Sequence, residues 1–155
     1  MQNLSSNRQL QIVPFFWAHV KLMDLRPFEQ AYFDSIPNYL ERLKEYGTQK
    51  HCYTAIYKSD IVACWGAYPL WDGVCEAWLL TSYQFETIPI TATRTAIRYF
   101  NNIYIDMQLH RLQITVNCND PLAMRWAIAL NMKHEGVLHR YGPDKSDYAM
   151  FARTE

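Results

Sequence analysis

The sequence predicts an α+β fold, a single domain in which a mixed, mainly antiparallel sheet is flanked by helices. Three observations predict it. Three β-favouring runs between residues 51 and 81 are separated by short polar turns, the pattern of an antiparallel meander. Ala92, Ala96, Ile97, Phe100, Ile103, Tyr104 and Met107 then recur at helical steps, which marks a long amphipathic helix from Pro89 onward. From Arg111 to Arg153, finally, a strand, a polar break, a short helix, a tight turn and a hairpin follow one another. The full order reads β-α-α-β-β-β-α-β-α-β-β, with no internal repeat, low-complexity tract or linker.

Each element has its own signal. Residues 1–9 are polar and read as a loose segment ahead of a domain spanning 10–155. Leu10–Leu22 carries β-favouring residues and reads as a first strand, with Pro14 near its start or at an edge. Asp24-Leu25-Arg26-Pro27 looks like a helix entry with Asp24 as the cap, and Phe28, Ala31, Tyr32 and Ile36 follow on that helix. Pro37 breaks it; Tyr39, Leu40, Leu43 and Tyr46 suggest a second helix ending at Gly47.

The meander follows as His51–Tyr57, Ile61–Tyr68 and Val74–Thr81, joined at Lys58-Ser59-Asp60 and Trp71-Asp72-Gly73. Leu112–Val116 alternates as a strand and stops at Asn117-Cys118-Asn119-Asp120-Pro121, where turn formers and a proline open a helix. Leu122, Ala123, Trp126, Ala127 and Leu130 share a face of that helix. His134-Glu135-Gly136 ends it and leads into Val137–Tyr141, which a Gly142-Pro143-Asp144 turn joins to Tyr148–Arg153.

Composition narrows the function. At 155 residues the chain can bury roughly two-thirds of the surface of its unfolded form. Fifteen basic residues balance fifteen acidic ones, so no global field favours nucleic acid or an anionic membrane. Arg94, Arg98, Arg111, Arg125 and Arg140 all lie in the second half, as solvated faces or as a local basic patch. Most of the eleven Tyr and five Trp read as core, and a surplus of them would mark a contact surface.

Cys52, Cys64, Cys75 and Cys118 form no CxxC pair and no metal-ligand spacing with histidine, so no metal site is expected. They read as small hydrophobes in a reducing compartment. No run approaches bilayer-spanning length, and the N-terminus lacks a secretory pattern, so the expected location is the cytoplasm. His134-Glu135 lacks the second histidine of a zinc helix, and Cys118 lacks an identifiable histidine partner.

The strand, polar break, short helix and hairpin of the C-terminal third resemble the GCN5-related N-acetyltransferase (GNAT) superfamily, and the element order extends that resemblance over almost the whole chain. The resemblance implies that the fourth and fifth strands part and that acetyl-CoA lies between them. Its pantetheine arm would pair with the backbone of Leu79, Leu80 and Thr81, and its pyrophosphate would meet the following helix at Thr91, Ala92, Thr93 and Arg94. A helix N-terminus offers unpaired N–H groups and a favourable dipole for such an anion.

By the same resemblance Asp120 stands where the family often has Asn, and Ala123 matches its small residue. Ala127 lies where the family's acid tyrosine would be, leaving Tyr141 or water for that role. The segment Tyr83–Ala92 contains no glycine where the family's phosphate loop usually has two, and Glu86 adds a negative charge there. Glu76 fits the place of the family's general base; the other reading is a rim carboxylate beside the Asp72-Gly73 turn. Trp78 and Tyr83 are the rings able to fill the parting of the strands.

Glu76–Ser82 and the glycine-poor entry to the Pro89–Arg98 helix also resemble small acetyltransferase-like proteins of tailed bacteriophages. Two functions follow as expectations. One is an acyl-CoA-dependent N-acyltransferase acting on a small-molecule or protein amine, with acetyl-CoA as co-substrate and neither nucleic acid nor membrane as partner. The other is a non-catalytic protein of this fold that binds a protein partner or joins a virion.

Overall fold

The computed structural model describes residues 10–155, so the N-terminal segment 1–9 lies outside the described residues. Seven strands and four α-helices follow one another as β1 (Gln11–Pro14), α1 (Pro27–Ser35), α2 (Tyr39–Tyr46), β2 (Cys52–Tyr57), β3 (Asp60–Trp71), β4 (Val74–Thr81), α3 (Pro89–Asp106), β5 (Arg111–Asn117), α4 (Pro121–Ala129), β6 (Lys133–Leu138) and β7 (Tyr148–Arg153). Strand order in the sheet is β1-β2-β3-β4-β5-β7-β6. The β1–β2, β2–β3, β5–β7 and β6–β7 ladders are antiparallel, and β4–β5 is parallel. This is the α+β class that the element order predicts.

Contacts divide the chain into two compact units, one of residues up to Gly66 with Leu79–Thr91, the other of Ala67–Trp78 with Ala92–Glu155. The first unit is built around Leu43, Thr54, Val62, Cys64 and Leu80, all essentially sealed from solvent. α1 opens on Pro27, whose missing N–H costs nothing at a helix start. Its cap position is Arg26, not Asp24 as the sequence reading has it; the carbonyl of Asp24 instead accepts the Tyr83 N–H. Tyr39 of α2 packs edge-on against Tyr32 and Phe33 of α1.

The expected first strand, Leu10–Leu22, is corrected to β1 followed by a 3-10 segment, Trp17–Leu22. Pro14 lies on the outermost strand, and Phe15 adds one more ladder bond beyond it by donating its N–H to the Cys52 carbonyl. Phe16 then bonds His19 through both its N–H and its carbonyl, so the chain closes a 3-10 turn on itself in place of a ladder.

The second unit packs α3 through Ala92, Ala96, Phe100 and Ile103, part of the stripe that the helical spacing predicts; Ile97, expected on the same stripe, is exposed. Cys75, Leu112, Ala149 and Phe151 are its most enclosed strand residues. Burying side chains the size of Phe151 or Leu112 contributes roughly 1.5–3 kcal/mol each. The strand expected at Val137–Tyr141 instead occupies Lys133–Leu138. A register shift between His134 and Gly136 leaves Glu135 as the extra, bulged residue, which the alternation of polar and apolar side chains does not reveal.

Gly73 sets where β5 begins. It sits at φ +81°, and its carbonyl accepts the N–H groups of both His110 and Arg111. That double bond fixes Val74 opposite Arg111 and so the register of the parallel pair.

Candidate active site

β4 and β5 pair at Val74↔Arg111, Cys75↔Leu112 and Glu76↔Gln113, and their ladder ends there. β5 stays bonded to β7 on its other side as far as Asn117↔Tyr148. Strand alternation puts Cys75 and Leu112 on one face and Glu76 and Gln113 on the other. Cys75 meets Met107 just beyond α3, so Glu76 stands on the face opposite that helix.

Glu76 is half-buried and carries two donors: the phenol of Tyr68 in β3 bonds its Oε2, and the Gln113 amide bonds its Oε1 at 3.2 Å. The Gln113 amide is itself oriented, because Arg111 Nε donates to its Oε1 at 2.8 Å. Arg111 in turn grips the bulged Glu135 with both terminal nitrogens, at 3.0 and 2.5 Å. Each of that pair holds the other charged: the bond to Arg111 moves the Glu135 carboxyl below its usual range, and the bond to Glu135 moves Arg111 up. Five side chains from β3, β4, β5 and β6 thus form one polar chain.

In the same unit Ala92 is buried, Arg94 is exposed, and Thr93 accepts the Trp126 indole N–H from α4. Asp120 is buried and caps α4, accepting the Ala123 N–H at 3.2 Å. Its short polar side chain before Pro121 does what a helix start requires. Ala127 is buried, and Tyr141 is exposed with its ring edge-on to Tyr148. Trp78 is buried.

In the first unit Leu79 is half-buried and Leu80 fully buried, while Thr91 is exposed on the opening turn of α3. The Thr81 N–H and hydroxyl both donate to Glu29 Oε1, the former at 3.0 Å, and the Thr81 carbonyl accepts the Arg26 N–H. The Thr81 N–H is therefore spent inside the fold. Arg26, almost wholly buried, also donates to Glu86 at 3.1 Å, which offsets the negative charge that the glycine-free segment brings to this region. That segment is a 3-10 turn, Tyr83–Thr87, with Tyr83 exposed.

Among the described residues no cluster of His, Cys, Asp and Glu fits a metal ion, and no helix is long and apolar enough to cross a membrane. Cys52, Cys64 and Cys75 are buried as expected of small hydrophobes, and burial raises the Cys64 thiol to about 12. Sequence reasoning singles out Glu76 but not the groups that bond it. The only local hint of Gln113 is its polar position within an alternating strand, and nothing local marks Tyr68, Arg111 or Glu135.

No family model and no curated protein matches this chain in sequence. Solved structures do match it in shape. A GNAT-family acetyltransferase from Bacillus anthracis superposes with TM-score 0.71 at 14% identity, covering 96% of both chains. Ard1 from Thermoplasma volcanium gives 0.75 at 10% identity, over 93% of this chain and 96% of that one. The ribosomal-protein-S5-alanine acetyltransferase from Vibrio fischeri gives 0.69 at 10% identity, over 94% and 92%. The chain has the fold of the GNAT acetyltransferases.

Proposed function

We propose that the protein is an acyl-CoA-dependent N-acyltransferase that moves an acetyl group onto an amine. The observation that carries this reading is Glu76, placed at the last pair of a parallel ladder that then ends, with a donor on each carboxylate oxygen. A carboxylate held in one direction on a strand is suited to take a proton from an ammonium group. The freed amine nitrogen attacks the thioester carbonyl; an amide bond forms, the carbon–sulfur bond breaks, and the departing thiolate takes up the second proton that the nitrogen sheds, leaving as the thiol.

Acetyl-CoA fits this chain in part. The eighteen-residue α3 offers a long dipole, and Thr91 and Arg94 stand exposed on its opening turns. The pairing of Glu86 with Arg26 removes the main electrostatic objection to phosphates. Backbone groups of Leu79 and Leu80 would then hold the pantetheine, and Thr91, Ala92 and Arg94 would hold the pyrophosphate. Thr81 contributes no backbone N–H, and Asp120 acts through the helix it caps.

A second reading keeps the fold without transfer, as a binding protein or a virion-associated phage product. What favours it is the number of would-be cofactor groups already used: Thr81 by Glu29, and Thr93 by Trp126.

Acetyl-CoA titration separates the two. A hundredfold excess over the dissociation constant stabilises the native state by about 2.7 kcal/mol, seen directly as a higher melting temperature. Thiol release from acetyl-CoA over a panel of primary amines then measures transfer, which Glu76→Gln is expected to abolish. An unmoved melting temperature at millimolar acetyl-CoA rejects the enzyme reading; unimpaired transfer by Glu76→Gln rejects the base alone.

A further inference from the structure

We infer that Glu135 is a positioning residue for Glu76, acting through Arg111 and Gln113 although it lies on β6 and does not touch the carboxylate. The inference rests on Glu76 being the base of the proposed transfer. The argument is one of amide orientation. A glutamine side chain has a donor end and an acceptor end of nearly identical shape, and only its neighbours decide which points where. Arg111 has donors only, so its Nε–H, 2.8 Å from Gln113 Oε1, turns the Gln113 NH2 toward Glu76. With the amide reversed, two acceptors would face each other and Glu76 would lose the bond on Oε1.

Arg111 holds this post because both its terminal nitrogens are bonded by Glu135. A two-point guanidinium–carboxylate fork fixes the plane of the guanidinium, and with it the direction of Nε–H. Glu135 reaches Arg111 as the bulged residue of β6, and bulges commonly re-aim a side chain at a functional site. Exposed ion pairs contribute little to stability, so this one is expected to matter for direction instead. Tyr68, bonded to the other oxygen, is the second fixed point of the carboxylate.

Two readouts on the whole protein test this. In the free protein, the Gln113 side-chain NH2 signal in 15N spectra is expected to be separate and slow to exchange with water. It should exchange faster in Glu135→Ala and recover in Glu135→Gln, which keeps one acceptor for Arg111. In the transfer assay Glu135→Ala is expected to lower kcat about tenfold or more with KM for acetyl-CoA unchanged, the scale of loss that follows from a misdirected reacting group. Adding Glu135→Ala to Gln113→Leu should lower kcat no further, because the relay is already cut.

An unchanged Gln113 signal in Glu135→Ala overturns the inference, as does an equal loss of kcat with and without Gln113. If the wild-type protein transfers nothing, the proposed function fails while the amide signal still decides whether Glu135 orients Gln113.

Discussion

Trp126 donates its indole N–H to the hydroxyl of Thr93 at 3.0 Å, tying the middle of α4 to the first turns of α3. The two residues are 33 positions apart, and each belongs to a helix whose opening matters to the proposed site. Trp126→Phe and Thr93→Val each remove one side of this bond. A neutral hydrogen bond of this kind contributes about 1 kcal/mol, and the tryptophan substitution adds some lost packing. Urea denaturation of the two single variants and the double variant should therefore give a coupling of about 1 kcal/mol. Strict additivity would show that the bond contributes nothing.

Arg26 joins three elements: its backbone N–H bonds Thr81, its side chain bonds Glu86, and Glu29 lies 3.7 Å away. Arg26→Ala removes the guanidinium beside the Glu29 carboxylate, which is only 16% exposed. Removing one partner from a largely buried pair costs more than the pair contributes, so we expect about 2–4 kcal/mol of destabilisation. Glu86→Gln touches a carboxylate 48% exposed and should cost less than about 1 kcal/mol. Equal effects of the two substitutions on the urea midpoint would contradict this ranking.

These two contacts show why the site was only half legible in the sequence. The helix face of α3 and the cap of α4 are local statements, written at steps of three and four residues or in a single turn. The order of elements follows from them, and with it the fold. A partner for Glu76 is a different kind of fact. Tyr68 lies eight residues away across the Asp72-Gly73 turn, and a register slip of one residue would send it to the other face. Glu135 owes its reach to a bulge, and Glu29 meets Thr81 across 52 residues. Such contacts depend on register and packing, which no local pattern encodes. The overlong first strand has the converse cause: Leu10–Leu22 is apolar enough for a strand, but Phe16 bonds His19 through its N–H and carbonyl and closes a 3-10 turn instead.

His19 should make stability depend on pH. Its Nδ1 accepts the Phe16 N–H at 3.1 Å and lies 2.8 Å from the Thr54 hydroxyl, so that hydroxyl donates and the ring is neutral at Nδ1. Burial lowers its pKa from the usual 6.5. The unfolded chain therefore takes up the proton first as pH falls. The stabilisation from His19 is full above about pH 6.5 and is lost as pH drops through 6.5 toward the folded-state value. Comparing urea midpoints at pH 7.5 and 5, His19→Gln should show a smaller drop than the wild type. An identical drop in both proteins would assign the acid sensitivity elsewhere.

Gly73→Ala is expected to be the costliest single methyl group in the second unit. At φ +81° an alanine is strained by about 1 kcal/mol, whatever surrounds it. The added carbon would also lie 2.3 Å from His110 Nδ1, a clash that the ring must move to relieve. The His110 backbone is pinned, since its own N–H and that of Arg111 both bond the Gly73 carbonyl, so relief has to come from rotation of its exposed ring. We expect a loss of about 2–3 kcal/mol, the range of overpacking plus backbone strain. His110→Ala in the same chain should restore the steric part and leave about 1 kcal/mol from the backbone. Because this turn sets the register that puts Glu76 opposite Gln113, Gly73→Ala should also speed exchange of the Gln113 amide, and the double variant should slow it again. Full recovery of stability in the double variant would mean that the positive φ carries no strain, and a Gln113 signal blind to both changes would detach the turn from the site.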